Sequence, residues 1–241
     1  MDTVLAKLAA AGDRARAAGR TDDVAAARAR SPAPRLLAVS KARDAAEVRA
    51  ACAAGQREFG ENYVQEATAK IAALADLDIV WHFIGAIQSN KTRDIADHFQ
   101  WVHTVDRAKV ASRLNAAAGD VIDVCVQVNV DAEPQKAGVA PAELPALVAH
   151  IAGLSRLRLR GLMVIPRQGG DTRESFRRTR SLFETMAPSA GPHWDTLSMG
   201  MSDDFEAAVE EGATIVRVGT AIFGSRPSRQ SNGAVSHAET A

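Results

Sequence analysis

The chain has 241 residues, enough for one large domain with a substantial core, and its composition does not change along its length in a way that indicates a second domain. Lys plus Arg and Asp plus Glu number 29 each, so no net charge attracts nucleic acid or an anionic membrane surface. Cys52 and Cys125 are too few for a disulfide framework and indicate a reducing compartment. The N-terminal residues are too charged for a signal sequence or a membrane span. We expect a soluble, cytoplasmic protein that binds neither nucleic acid nor a membrane.

A helix is predicted over about residues 2–30, where apolar residues recur at helical spacing in a stretch rich in Ala and Arg. Residues 36–41 (LLAVSK) then form a short apolar run after two prolines, which is typical of a buried parallel strand. Asp44 follows as the predicted cap of a second helix, which Gly55 is placed to end. The same order of strand, helix and stop recurs along the rest of the chain.

Eight strands separated by helices are predicted in this way. The strands lie at about 36–41, 58–62, 80–85, 101–105, 121–130, 160–165, 196–199 and 215–218. The helices between them lie at about 44–55, 64–77, 89–98, 107–117, 141–154, 173–186 and 202–212. Strands that alternate with helices form a parallel sheet, and eight units in this length match an α/β fold of the closed (β/α)8 TIM-barrel type. An open doubly wound sheet is the alternative, but no GxGxxG motif follows the first strand.

The predicted barrel, with its extra N-terminal helix, accounts for residues 1–226. Residues 227–241 are rich in Ser, Asn, Gly and Ala and lack any periodicity. Such a composition buries too little apolar surface to fold, so a disordered tail is predicted there.

Lys41 ends the first predicted strand, on the face of a β/α barrel that carries active sites. A lysine at a strand end is more often a solvated surface charge, and its position alone favours that interpretation. The loops after the last two strands change the balance, because Ser198, Ser202, Gly219 and Thr220 combine hydroxyl donors with glycines that let backbone amides approach an anion. These four residues predict a phosphate site at the same end of the barrel as Lys41.

Arg217 lies inside the eighth predicted strand, flanked by valines. A buried cation needs a partner or an opening onto the pocket, so Arg217 either faces the pocket or forms an ion pair with Glu58 or Glu61. Asn62, at the end of the second strand, either lines the pocket or caps the next helix.

Two further polar residues have structural alternatives. Ser202 is also well placed to cap the helix after the seventh strand. His82 fits a hydrogen-bonded core histidine, and neither it nor His103 has partners at metal-ligand spacing, so no metal site is predicted.

A lysine amine and a phosphate site at one barrel mouth suit a carbonyl compound that carries a phosphate. Two ligands have this chemistry: a phosphosugar, as in Schiff-base aldolases, and pyridoxal 5′-phosphate. The residue chemistry alone leaves the two nearly balanced.

Six segments, taken together, resemble the pyridoxal phosphate homeostasis protein family. In chain order they are LLAVSK (36–41), FGENYVQE (59–66), WHFIGAIQSNK (81–91), GLMVIP (161–166), LSMGMSDDFEAAVEEGAT (197–214) and VRVGTAIFGSR (216–226). The sequence departs from the family pattern at Ile87, where leucine is usual, and in the longer stretch 21–34. The resemblance implies the barrel of the alanine racemase N-terminal domain, with pyridoxal phosphate held as a reversible Schiff base.

The resemblance also implies roles for individual residues. Lys41 matches the Schiff-base lysine, and Arg217 matches the arginine that faces the pyridine nitrogen. The remaining positions carried over as cofactor-binding are Ser202, Gly219 and Thr220 at the phosphate, and Asn62 and Ser198 in the pocket.

An arginine against the pyridine nitrogen disfavours its protonation and so weakens the ring as an electron sink. Racemases of this fold add a β-rich domain and a catalytic tyrosine across a dimer, whereas the only tyrosine here is Tyr63. The resemblance therefore implies a non-catalytic protein of intracellular pyridoxal phosphate homeostasis. A racemase or lyase using the same cofactor is the alternative, followed by a phosphosugar aldolase. PLP-dependent apo-enzymes are candidate partners, and the lack of a second domain favours a monomer.

Overall fold

The computed structural model describes residues 1–17 and 33–225. Within these ranges eight parallel strands close into a barrel in chain order, and the last strand pairs with the first. The strands are β1 Arg35–Val39, β2 Glu58–Glu61, β3 Val80–Phe83, β4 Trp101–Val105, β5 Ile122–Gln127, β6 Leu157–Met163, β7 Thr196–Ser198 and β8 Ile215–Val218. The predicted (β/α)8 barrel is confirmed, and the open doubly wound sheet is wrong.

Helices cover the outside of the barrel. They are α1 Asp2–Ala17, α2 Ala45–Ala53, α3 Val64–Ala73, α4 Thr92–His98, α5 Ala108–Ala117, α6 Leu144–Ala152, α7 Thr172–Ala190, α8 Phe205–Glu210 and α9 Thr220–Phe223. Asp44 caps α2 as predicted, with its side chain accepting from the Glu47 amide. The short helix α9 was not predicted. The second half of the predicted N-terminal helix (18–30) and the predicted tail (227–241) lie outside the described residues.

Strand β6 differs most from its prediction, since it begins at Leu157 rather than near residue 160. Its first half contains two arginines, which the sequence pattern does not identify as buried strand positions. In the barrel these charges are neutralised, because Arg158 and Arg160 form ion pairs with Asp123 of β5 and Arg160 also pairs with Asp195. Strand β5 is also shorter than predicted and ends at Gln127.

The amino-terminal end of the barrel, called the base below, is closed by charged side chains around one tryptophan. Arg35 pairs with Glu58, and Arg160 pairs with Asp123. The guanidiniums of Arg35 and Arg160 lie 4.9 and 4.7 Å from the ring centre of Trp101. Cation–π contacts and ion pairs satisfy these charges together. In the described part of the chain, these side chains fill the base of the barrel.

Helix α1 packs beside α8, which follows the loop after β7. Val4, Leu8 and Ala11 of α1 are buried, as expected for one face of a helix. Arg14 adds hydrogen-bonded ion pairs to Glu206 and Glu210 of α8. The N-terminal helix thus supports an element next to the barrel mouth.

Gly161 permits the close approach of β6 and β7. It has φ +157°, and a Cβ atom there would lie 1.7 Å from the carbonyl oxygen of Thr196. The strands would have to separate to admit any side chain.

We predict that Gly161→Ala lowers the free energy of unfolding by at least about 3 kcal/mol, since overpacking and backbone strain each cost about 1–3 kcal/mol. The matched control is Gly119→Ala, where a Cβ atom meets nothing within 4 Å, and it should change stability by less than about 0.5 kcal/mol. Urea unfolding of the three proteins measures both values. Equal stability of the two variants would contradict the packing of β6 on β7.

Candidate functional site

A cavity of about 260 Å³ opens at the carboxyl ends of the strands. Its lining residues come from β1, β6 and β8 and from the segments that follow β1, β2, β3, β6, β7 and β8: Val39, Lys41, Asn62, Ile84, Met163, Ile165, Met201, Ser202, Asp203, Arg217, Gly219 and Thr220. Six of the seven residues predicted to bind a cofactor are therefore brought together. Ser198, the seventh, is fully buried and is not among the lining residues.

Lys41 lies two residues after the end of β1 and is half-buried in the cavity wall. The chain turns sharply after it, because Ala42 has a φ of +59°. The Ala42 amide donates to Glu66 Oε1 at 2.6 Å, which holds this turn to α3. The turn that follows Lys41 is thus held in place. Because the Lys41 side chain is half-buried and lines the cavity, the interpretation of a solvated surface charge is disfavoured.

A buried ion pair lies behind the same turn. Lys70 of α3 donates to Glu61 Oε1 at 2.5 Å and to the Ser40 carbonyl at 2.8 Å, and Ser40 Oγ donates to Glu61 at 2.6 Å. Burial raises the pKa of Glu61, and the positive charge of Lys70 partly opposes that rise. These contacts connect β1, β2 and α3 next to Lys41.

The loop after β7 brings Ser202 to the cavity. Gly200 has φ +92° in this loop, and a Cβ atom there would lie 2.6 Å from that of Ala208. The Asp204 carboxylate accepts from the Met201 amide at 2.6 Å, and α8 begins only at Phe205. Ser202 is therefore not the helix cap, and that alternative is wrong.

Gly219 and Thr220 form the opposite edge of the cavity, at the start of α9. Gly219 also has a structural role, since a Cβ atom there would lie 3.2 Å from the Val39 carbonyl oxygen. The first amides of a helix have no partner within it. The hydroxyls of Ser202 and Thr220 and the backbone amides beside them thus line the same cavity, a donor set that suits a phosphate.

Arg217 reaches the cavity from the interior face of β8. Nη1 donates to Ser198 Oγ at 2.9 Å, and Nη2 donates to the Val164 carbonyl at 2.9 Å. The suggested ion pair with Glu58 or Glu61 is wrong, because those carboxylates pair with Arg35 and Lys70. Burial lowers the pKa of Arg217 to about 10, so the guanidinium remains charged at neutral pH.

Two histidines lie beneath Arg217 in the barrel interior. His103 Nδ1 is 2.8 Å from Ser198 Oγ, and His103 Nε2 is 2.9 Å from His82 Nδ1. The prediction of a hydrogen-bonded core histidine at position 82 is confirmed. Burial lowers the pKa of both imidazoles well below the usual range, and the charge of Arg217 adds to the effect on His103. Both rings are therefore neutral at pH 7.

Asn62 lines the cavity and does not cap α3, whose N-cap position is Tyr63. Its Oδ1 atom is buried and finds no hydrogen-bond partner among residues 1–17 and 33–225. A buried acceptor without a donor is costly, so this atom favours a ligand that donates a hydrogen bond.

The apolar wall of the cavity was not predicted. It includes Val39, Ile84, Met163, Ile165 and Met201. The alternation of side chains along a strand identifies Val39, two residues before Lys41, but loop positions such as Met201 carry no such signal. Asp203 also lines the cavity and was not predicted to do so. No group of three or more His, Cys, Asp or Glu side chains in the described part of the chain could hold a metal ion.

The family model for the alanine racemase N-terminal domain matches residues 21–227. The pyridoxal phosphate homeostasis protein of Pseudomonas aeruginosa is 54% identical over 219 residues, covering 88% of this chain and 94% of that protein. The protein of the same name from Escherichia coli K12 is 49% identical, covering 79% and 85%. PipY of Synechococcus elongatus, solved with PLP bound, is 41% identical with a TM-score of 0.75 over 89% of this chain and all of that one.

These matches define the class first: a barrel of the alanine racemase N-terminal domain type, as the closed ring of eight strands shows. Within that class, the chain belongs to the pyridoxal phosphate homeostasis protein family. Both conclusions confirm what the six sequence segments implied. Over the part of the chain that the structure covers, no helix is long and apolar enough to cross a membrane.

We predict that the free energy of unfolding falls by about 2 kcal/mol between pH 7 and pH 5.5. An unfolded imidazole has a pKa of about 6.5, so below that pH the unfolded chain binds protons that folded His82 and His103 do not, and stability is lost as pH falls.

Urea unfolding across this pH window measures how steeply the free energy of unfolding falls as the pH falls. His82→Gln should reduce this loss of stability to roughly half, because one of two equivalent proton sites is removed. The exposed His193→Gln should leave it unchanged. A flat profile for the unaltered chain would show that the two imidazoles are not buried as neutral groups.

Proposed function

We propose that this protein binds pyridoxal 5′-phosphate reversibly through Lys41 and serves in the homeostasis of that cofactor without catalysing a reaction. One observation carries the proposal: a lysine amine and a set of phosphate donors line the same cavity. The printed names of the curated relatives and the PLP-bound PipY structure support the choice of ligand.

Pyridoxal phosphate has an aldehyde, a phosphate and a basic ring nitrogen, and the cavity has a counterpart for each. The Lys41 amine condenses with the aldehyde with loss of one water, and hydrolysis reverses the step. Ser202, Gly219 and Thr220 line the cavity and supply hydrogen-bond donors for the phosphate. Arg217 offers only hydrogen-bond donors, so it suits an unprotonated ring nitrogen.

Bound pyridoxal phosphate supplies an electron sink for carbanions in enzymes; a protonated ring strengthens that role, and an acid–base residue beside the substrate moves the proton. Arg217 opposes protonation of the ring. The only tyrosine, Tyr63, is 61% exposed and is not among the residues that line the cavity. The residues in the cavity thus favour binding and release over racemase or lyase chemistry.

A phosphosugar aldolase is the weaker alternative, since its substrate shares the aldehyde or ketone and the phosphate. The apolar wall formed by Ile84, Met163 and Ile165 suits an aromatic ring better than a polyhydroxylated chain.

We further propose that the protein works as a monomer in the cytoplasm and that PLP-dependent apo-enzymes receive the cofactor. Two buried, unpaired cysteines support the compartment.

We predict that incubation with pyridoxal phosphate gives a visible absorption band and, after borohydride reduction, a stable adduct on the peptide that contains Lys41. Lys41→Ala should lose both, whereas Lys109→Ala, a substitution of an exposed lysine on α5, should retain them. Absorption spectroscopy and peptide mass spectrometry make the measurement.

Two outcomes would contradict the proposal in different ways. A chain that stays colourless and unmodified does not bind the cofactor in this way. A chain that binds the cofactor and exchanges the α-proton of amino acids at enzymatic rates is an enzyme, which would overturn the non-catalytic role alone.

A further inference from the structure

The barrel interior contains a continuous chain of four polar side chains, of which only Arg217 has a role in the proposed function. It runs from Arg217 at the cavity through Ser198 and His103 to His82, with heavy-atom distances of 2.9, 2.8 and 2.9 Å. Each of the four side chains is at most 4% exposed. We call these four residues the relay.

The chemistry of Arg217 determines where every proton in the relay lies. A guanidinium has donors and no acceptor, so Ser198 Oγ accepts from it. The single hydroxyl proton of Ser198 is then directed to His103 Nδ1, which must be unprotonated to accept it. Neutral His103 consequently carries its proton on Nε2 and donates to His82 Nδ1.

The same reasoning places the proton of His82 on Nε2. That atom is buried, lacks a hydrogen-bond partner in the described part of the chain, and lies 3.8 Å from Glu58 Oε2. Glu58 is held at the base by Arg35. All the bonds therefore point the same way, from the cavity towards the base. Ser198 Oγ could also accept from His103 Nδ1, but the Ser198 hydroxyl proton would then have no acceptor in the described part of the chain, so this reversed set is disfavoured.

We propose that Ser198, His103 and His82 are positioning residues for Arg217. Together they form a one-way hydrogen-bond relay that fixes the guanidinium as a donor towards the ring nitrogen of the bound cofactor. The inference rests on the proposed function and extends it by assigning roles to three residues that lie outside the cavity.

The relay acts on Arg217 by limiting how the guanidinium can turn. Its two terminal nitrogens are bound on different elements, Ser198 on β7 and Val164 after β6, so its plane is held at two points. If the Ser198 hydroxyl is removed, only the hydrogen bond to the Val164 carbonyl remains of the two. His103 and His82 in turn hold Ser198 as an acceptor, because any proton on His103 Nδ1 would compete with the Ser198 hydroxyl proton.

The first test measures tautomers in the ligand-free protein by nitrogen-15 NMR of the imidazole rings. Of the six histidines, the two in the relay should not titrate near pH 7, and both should carry a proton on Nε2 and none on Nδ1. A proton on Nδ1 of either ring, or a charged ring at neutral pH, would overturn the relay. This measurement needs no variant and no cofactor.

The second test follows bound pyridoxal phosphate in Ser198→Ala. The variant should shift the visible absorption band and release the cofactor roughly tenfold faster, in keeping with the loss of one hydrogen bond to a charged group. Ser175→Ala removes a buried hydroxyl on α7 that binds Asp131 instead, and it should behave as the unaltered protein.

The outcomes separate the relay from the proposed function. An unchanged band and release rate in Ser198→Ala would overturn the positioning role. If the unaltered protein takes up no pyridoxal phosphate, the proposed function is wrong, and the NMR tautomers still show whether the relay exists. If Ser198→Ala does not fold, the tautomers in the unaltered protein decide the question.

Discussion

The buried guanidinium of Arg217 stays charged at neutral pH, and Ser198, His103 and His82 form a hydrogen-bonded chain that begins at it. Arg217 is 4% exposed, and an unpaired cation at that depth would be costly. It is held by a serine hydroxyl and a backbone carbonyl, neither of which carries a negative charge. A guanidinium satisfied in this way keeps its full charge and its remaining donors available to a ligand in the cavity, which a buried ion pair would have neutralised.

The other half of the site depends on a second buried arrangement, outside the barrel wall. Lys70 is paired with Glu61 and holds the Ser40 carbonyl, while Glu66 holds the turn at Ala42. Lys41 lies between these two anchored residues, so its backbone is held on both sides while its side chain lines the cavity. A covalent but reversible tether needs both properties, since a mobile backbone would add an entropic cost to each binding event.

Much of the fold could be predicted from the sequence, because alternating apolar runs and helix caps report local structure directly. Asp44 illustrates this, as its capping box is local. Strand β6 shows the limit: Arg160 is accommodated in the barrel through ion pairs with Asp123 and Asp195, which are distant in sequence.

The site shows the same contrast between local signals and contacts that are distant in sequence. Residues at strand ends, such as Lys41 and Gly219, were found because a closed barrel places all those ends in one ring. His103 was noted only as lacking metal partners, since its role depends on contacts with Ser198, 95 residues away. Side-chain contacts across the barrel interior have no periodic signature in the sequence, so only the structure could connect these residues to Arg217.

A crystal structure of the protein grown with pyridoxal phosphate bears most directly on the role of the cavity. We expect continuous electron density from Lys41 Nζ to the ligand, the phosphate against Ser202, Gly219 and Thr220, and the ring nitrogen facing Arg217. Density for the ligand at another lysine, or a ligand in the cavity with its phosphate turned towards Arg217, would contradict this account.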